Sequence, residues 1–563
     1  MTMHSAPTNV GLLANLRAAS FIQQHAPGQS AAIPPIEIQP GSHADDFVRY
    51  LQGARAFYQG DYPLAETEFS ALRQSAQPWV AETASYMQFR VALNASSERA
   101  TDEYGWLERR NIDDAQLQTA RRYLNDYLVR WPQGRYAPSA RDMQRRVDWY
   151  LGDWASLMQA YEAKILAARE PAMLLDSVIE ADNVLQGSYD DNGRAAFHGD
   201  KNAPLITFTE ALRALRGDDQ ESASLETLKP MISGEYASFW DYLSLLQQFK
   251  RGDYARVVAS INPAQTLSAT DILAFSRQVI YGSALEKQKK LSQAEAHWRH
   301  LLTIAPRAEQ KHYLQMRLSR VLVWRGEAAK IFAQDSPVTA LIWRAQALKM
   351  VADDALLRRQ AASAPHDEEK TIALYTLLRR DLERGDARAF LSDVALRNGI
   401  HKLPDSTQFE DVPLDIFDWQ GGGVESGYAC ASLMKSAQAL VNSPHDGHAL
   451  NCIGEFFRIK MFAHWGGPEY QLSPSIVEIQ YDGRDWMNIP DRLSLYQRAI
   501  EDAKTEPEDR AYALYRAVKC FEPSGSNDCG MQQVPETQRK RWFMRLKEEF
   551  KGSQWERKLK YYW

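Results

Sequence analysis

Residues Tyr281–Pro306 read YGSALEKQKKLSQAEAHWRHLLTIAP. The residue types run small, large, large, small, aromatic, proline at Gly282, Leu285, Leu291, Ala294, Trp298 and Pro306. Each type has a physical reason to be there. Gly282 and Ala294 let two helices approach closely, and Leu285, Leu291 and Trp298 fill the space between them. Pro306 stops the second helix, because it has no N–H to continue the hydrogen-bond ladder. The stretch therefore predicts a pair of packed helices, and it directs attention to other stretches built the same way.

Tyr50–Leu72, YLQGARAFYQGDYPLAETEFSAL, repeats the order at Gly53, Phe57, Tyr62, Ala65 and Phe69. Its helices are joined by Gly60-Asp61. That dipeptide recurs at Gly152-Asp153, Gly217-Asp218, Gly252-Asp253 and Gly385-Asp386, with Gly326-Glu327 as a variant. Glycine suits the left-handed residue that ends a helix, and aspartate caps the next one. Trp131-Pro132 stops another helix, and Tyr136, Ala137 and Ala140 begin the following one. A further junction has Pro444 followed by Ala449, Gly454 and Phe457.

These units resemble the tetratricopeptide repeat, and the match runs from about Val48 to Phe457. The Trp131-Pro132 junction resembles the repeat junctions of tetratricopeptide proteins of the outer-membrane assembly lipoprotein type. The resemblance implies an all-α solenoid of antiparallel helix pairs, with irregular loop insertions near the C-terminal third. Such repeats bury their faces only by stacking, and they present extended surfaces to protein or peptide partners. It also implies that first-helix residues line the binding face, which points to Arg55, Tyr58, Gln59 and Lys287. Most of the 25 Tyr and 15 Trp then become packing residues.

A length of 563 residues agrees with an array, since single cores stop growing near ~250–300 residues. We divide the chain into an extended arm (residues 1–45), a solenoid (46–400) and a C-terminal helical section with loops (401–563). In the arm, Val10 to Gln23 suits a short amphipathic helix, and Pro34-Pro35 blocks one. The start has no charged segment leading into an apolar core, as a secretory signal would. Either the protein is cytosolic or a leader precedes this numbering. Extended pieces are expected only in Ser473–Gly483 and in VPLDIFDWQ, residues 412–420.

A formal charge of −6 gives no footprint for nucleic acid. No apolar run approaches the ~18–20 residues that span a bilayer. The phosphate-loop, dinucleotide, H-E-x-x-H and G-x-S-x-G patterns are all missing, and no metal or cofactor is expected. His297 and His300 have metal-pair spacing, but their place beside Trp298 predicts a solvated helix edge. The Gly421–Gly423 run predicts a flexible turn.

The four cysteines, Cys430, Cys452, Cys520 and Cys529, all follow Gly427. Cys520 and Cys529 bracket the turn-rich FEPSGSND, which can bring the sulfurs together. A disulfide there contributes on the order of 2–3 kcal/mol. Pairing of Cys430 with Cys452 requires Cys430 to fold back from its loop. Disulfides imply an oxidising compartment. Reduced thiols would instead make this a cytosolic adaptor, and zinc lacks its close ligand pairs. The closing block, from Cys520 to Tyr561-Tyr562-Trp563, resembles the end of bacterial exported tetratricopeptide-like proteins. That resemblance implies periplasm or outer-membrane association, and no reaction.

One enzymatic alternative has residues to test. Glu425-Ser426, with Tyr428 and Ser432, resembles the first half of the catalytic block of soluble lytic transglycosylases, where the Glu is the general acid. The glycine-rich second half is missing before Leu433-Met434-Lys435. The terminal segment carries Arg539, Lys540, Arg541, Arg545, Lys547, Lys551, Arg557, Lys558 and Lys560 around an apolar stripe of Trp542, Leu546 and Phe550. The expectation is a capping helix. The alternative is peripheral contact with anionic lipid.

Overall fold

The Gly-Asp turns end helices as their chemistry requires. After α1 (His43–Gln59), Gly60 takes φ +79°, and the Asp61 N–H bonds back to Ala56 O at 2.9 Å. The Asp61 carboxylate then accepts from Leu64 N at 3.2 Å and opens α2 (Tyr62–Leu72). Gly152, Gly252, Gly326 and Gly385 are left-handed in the same way. Asp153 and Asp386 also cap the helix that follows, whereas Asp253 makes no side-chain cap bond. The Tyr281–Pro306 unit turns without glycine. Lys289 itself sits at φ +60°, and Lys290 N–H reaches Leu285 O at 2.9 Å. A side chain in that conformation costs on the order of 1 kcal/mol.

The fold comes from a computed structural model, which describes residues 39–104, 107–186, 199–216, 225–269, 271–400, 412–460, 476 and 491–563. The expected arm helix, Gly217-Asp218 and nearly all of Ser473–Gly483 lie outside the described residues. The chain is all-helical. Among the described residues there is no β-strand, only a bridge between Thr101 and Leu107. No described helix is long and apolar enough to cross a membrane.

The chain divides into two compact units, residues 1–251 and 252–563. This break falls inside the stretch read as one solenoid. The first unit continues with α3 (Pro78–Ser97), α4 (Asp114–Arg130), α5 (Ala137–Leu151), α6 (Trp154–Ala167) and α7 (Pro171–Gln186). From α1 to α7, each helix packs on the next. Then come α8 (Pro204–Arg216), α9 (Leu225–Leu228) and α10 (Ala237–Lys250), with α8 packed on α6 and α10. At the aromatic-proline junction, Tyr136 stacks on Tyr86 with centroids 4.6 Å apart. Its N–H donates to the Tyr127 hydroxyl at 3.1 Å.

The second unit begins with α11 (Tyr254–Ser260), α12 (Ile272–Lys287), α13 (Leu291–Ile304), α14 (Ala308–Trp324) and α15 (Leu341–Met350). It continues through α16 (Asp354–Ser363), α17 (Asp367–Glu383), α18 (Ala387–Asp393), α19 (Leu433–Asn442) and α20 (Gly447–Lys460). It closes with α21 (Leu493–Glu501), α22 (Pro507–Lys519), α23 (Glu536–Glu549) and α24 (Gln554–Lys558). One core runs from Ala345 to Leu559, so the section after residue 400 shares its interior with the helices before it.

Close approach at glycine recurs. A Cβ on Gly282 would lie 2.2 Å from the Trp298 ring, and one on Gly454 would lie 2.5 Å from Tyr496. At Gly53 the corresponding distance to Phe69 is 3.1 Å. All three rings are fully buried. Burial of such a ring contributes on the order of 2–3 kcal/mol.

Three expectations need correction or completion. His297 is not on a solvated edge. It is buried, with Nε2 3.0 Å from Gln278 O and its ring against Tyr281 and Trp298. Trp298 draws its sequence neighbour into the interface, while His300 stays exposed. VPLDIFDWQ is not extended, because Leu414–Asp418 forms a 3-10 turn. Leu414 and Phe417 lie three residues apart, so the turn sends both into the core, where Phe417 meets Phe390 and Phe456. The terminal stripe packs inward, with Trp542 and Leu546 buried in the unit's core and Phe550 against it.

Candidate functional site

Polar and sulfur chemistry concentrates where the Val412–Ala431 segment crosses α20, α22 and α24. The segment is built to lie close. Trp419 Nε1 donates to Gly422 O at 2.9 Å, closing the expected turn over the glycine run. Gly421 is left-handed, and a Cβ there would lie 2.1 Å from the Cys430 carbonyl oxygen. This turn is therefore tightly packed.

Cys430 folds back onto α20 and is bonded to Cys452, with Cα atoms 5.5 Å apart. Cys520 and Cys529 are bonded across their loop at a Cα separation of 5.3 Å. The loop is organised by Asp528 N–H donating to Cys520 O at 2.7 Å and by Cys529 N–H donating to the Asn527 side chain at 2.9 Å. Both pairs considered from sequence are formed, and no free cysteine remains. Two disulfides point to an oxidising, extracytoplasmic environment.

Beside the first disulfide lies a cluster that sequence reasoning did not assemble. His448 Nε2 is 3.7 Å from Cys452 Sγ, and His448 Nδ1 is 2.9 Å from Asp509 Oδ1. Tyr428 donates to the same Asp509 oxygen at 2.5 Å, and Asn451 Nδ2 donates to the Tyr428 hydroxyl at 2.9 Å. The hydrogen bond to Asp509 raises the imidazole above its usual value, against the opposing effect of burial. The Tyr428 ring stacks on Tyr512 with centroids 3.7 Å apart. His448 and Cys452 are four residues apart on one helix, which is a legible spacing. Asp509 arrives from 61 residues away, and no local pattern announces it.

No protein-family model matches the chain, and no curated protein matches it.

Glu425, the enzymatic candidate, is engaged on both oxygens. Lys558 Nζ lies 3.2 Å from Oε1, while Arg516 approaches Oε2 at 3.5 Å and the Tyr515 hydroxyl donates to it at 3.4 Å. Burial raises its proton affinity, but the Lys558 hydrogen bond and the Arg516 charge outweigh this and hold the carboxyl below its usual range. A general acid needs the opposite shift. Behind it, Glu455 is fully buried between Arg516 at 2.8 Å and Arg458 at 2.6 Å, and it accepts from the Tyr496 hydroxyl at 3.2 Å. Trp555 Nε1 donates to Glu508 at 2.7 Å, which seats α24 on α22.

The sequence-nominated partner residues lie elsewhere. Tyr58 and Gln59 are exposed at the end of α1, Arg55 is half-buried, and Lys287 is exposed at the end of α12. Sequence reasoning overlooked an apolar exposed group on α6 and α7. Leu166, Met173, Leu174, Leu175 and Ile179 all stand in solvent. The run MLLDSVIE, residues 173–180, carries that signal. Among the described residues, no cluster of His, Cys, Asp and Glu is arranged to hold a metal ion.

Proposed function

We propose that this chain is a non-enzymatic helical-repeat scaffold of tetratricopeptide type, working in the bacterial envelope and binding a protein or peptide partner. The repeat reading is supported by the recurring glycine-on-aromatic pairs and left-handed Gly-Asp turns. The envelope reading is supported by the two disulfides. The partner reading is carried by one observation, the exposed apolar group on α7, where Leu175 and Ile179 lie one turn apart on the same face. Contiguous exposed apolar side chains mark interaction surfaces.

A photo-crosslinking residue placed at Leu175, in cells making the full chain, should yield a discrete adduct in the envelope fraction. Leu175→Asp combined with Ile179→Asp should abolish co-purification of that partner and leave the melting temperature unchanged. No adduct at Leu175, or undiminished capture by the double variant, would sink this assignment. The same reading predicts no turnover of purified peptidoglycan. Turnover lost in Glu425→Gln would replace the scaffold with an enzyme.

A further inference from the structure

The two disulfides occupy unlike surroundings. Cys520 and Cys529 are both about 1% exposed, inside the core. Cys430 is partly exposed and its partner Cys452 is fully buried, so a solvent-borne reagent meets Cys430 first. The buried sulfur is the one that faces His448, at 3.7 Å.

We propose that Cys430–Cys452 is an exchangeable disulfide and a site of S-thiolation by small thiols, with Cys430 as the attacked sulfur and Cys452 as the leaving thiolate. The thiolate of a low-molecular-weight thiol attacks Cys430 Sγ in line with the S–S bond. A mixed disulfide forms on Cys430, and the electron pair of the broken bond goes to Cys452 Sγ. His448 Nε2–H donates to that thiolate, while its Nδ1–H is held by Asp509. A second small-thiol thiolate displaces Cys430 and leaves as the oxidised small disulfide. Two protein thiols are gained for two small thiols oxidised.

Leaving-group stability controls the rate of such exchange. A neighbouring imidazolium lowers thiol pKa, and a lower-pKa thiol leaves faster. His448 is held by Asp509 on α22 and by Tyr428 and the Ala429 carbonyl from the loop, with the charge of Asp446 at the start of its own helix. Asp509 and Asp446 both favour the charged imidazole.

The test uses the full-length folded protein and glutathione. Samples are quenched by alkylation, and the four cysteine-bearing peptides are followed by mass spectrometry. Cys430–Cys452 should open about tenfold faster than Cys520–Cys529, with the glutathione adduct on Cys430. The rate divided by glutathione thiolate concentration should fall as pH rises through the His448 titration. In His448→Gln that quotient should be about tenfold lower and flat with pH. Equal opening of the two disulfides, an adduct on Cys452, or a flat wild-type profile would each overturn the proposal. The wild-type profile decides even if the variant fails to fold.

Discussion

The helix pair α12–α13 and the pair α20–α21 face the same packing problem with similar parts. In each, a glycine admits a ring from the facing helix, and the ring donates to a buried glutamate. Trp298 Nε1 reaches Glu286 at 2.8 Å, and the Tyr496 hydroxyl reaches Glu455 at 3.2 Å. In each, an arginine from the following helix neutralises the carboxylate, Arg317 from α14 and Arg516 from α22. That arginine also lies over an aromatic ring, Trp298 at 5.1 Å and Tyr512 at 5.4 Å. The pairs differ in what surrounds them. Among the described residues Glu286 has one arginine partner within ion-pair distance, whereas Glu455 has Arg458 as well. The second pair also carries a disulfide on α20 that ties in a non-helical segment. The first hairpin, α1–α2, uses the glycine and a ring without a polar handle, Phe69. The steric device is therefore separable from the buried charge, and the charge is elaborated where more segments converge.

The largest expected effect tests that separation. Glu455→Gln takes the carboxylate from Arg458 and leaves Arg516 only the longer contact to Glu425 at 3.5 Å, which costs about 3–5 kcal/mol. Glu286→Gln should fall at the low end, because it strips one arginine of its carboxylate rather than two. Urea unfolding measures both. An equal or larger loss at Glu286 would break the distinction.

Titration separates the pairs by sign. Burial pushes His297 down to about 4. The unfolded chain, with a histidine near ~6.5, then binds more protons between those values. Stability should be complete above that window and fall by about 3 kcal/mol as pH drops through it. His448 is raised instead, so its contribution is present below the unfolded value and is lost as pH rises through the folded one. Melting temperature against pH should lose its acid limb in His297→Gln and its alkaline limb in His448→Gln. Matching profiles in the two variants would remove the contrast.

Steric effects should follow the approach distances. Gly282→Ala meets Trp298 at 2.2 Å and Gly454→Ala meets Tyr496 at 2.5 Å. We expect losses of about 1–3 kcal/mol, larger at Gly282. Gly53→Ala, at 3.1 Å, should fall within ~0.5 kcal/mol of wild type, since helix propensity offsets the crowding. Any other order in thermal melts would deny that ring approach governs these pairs. The smallest effect is at the turn of α12–α13. Lys289→Gly should gain about 0.5–1 kcal/mol by relieving its left-handed backbone. No gain would mean that the Lys289 side chain contributes comparably, for instance through Trp324, whose ring lies 5.7 Å from Nζ.

Some of this was open to reading from residue order alone. Helix ends at Gly60, Gly152 and Gly385 were legible, because a left-handed residue and its cap are local chemistry. So was the burial of Trp298 opposite Gly282, since size complementarity leaves a mark in composition. The Cys520–Cys529 closure was legible from its short turn-rich loop. His297 was misread because its burial depends on what packs beside Trp298, which no periodicity records. Lys289 was missed because the turn there departs from the glycine rule.

By itself, then, the sequence determined an all-helical chain, most of its Gly-Asp turns and the close helix approach at Gly282. These follow from backbone sterics and from spacing along a helix. Only the tertiary structure decided that Glu425 is held ionised by Lys558 and Arg516, and that Asp509 stands behind His448 and Cys452. Those partners come from helices far apart in the chain. Charge and proton affinity answer to distance in space, which residue order does not encode.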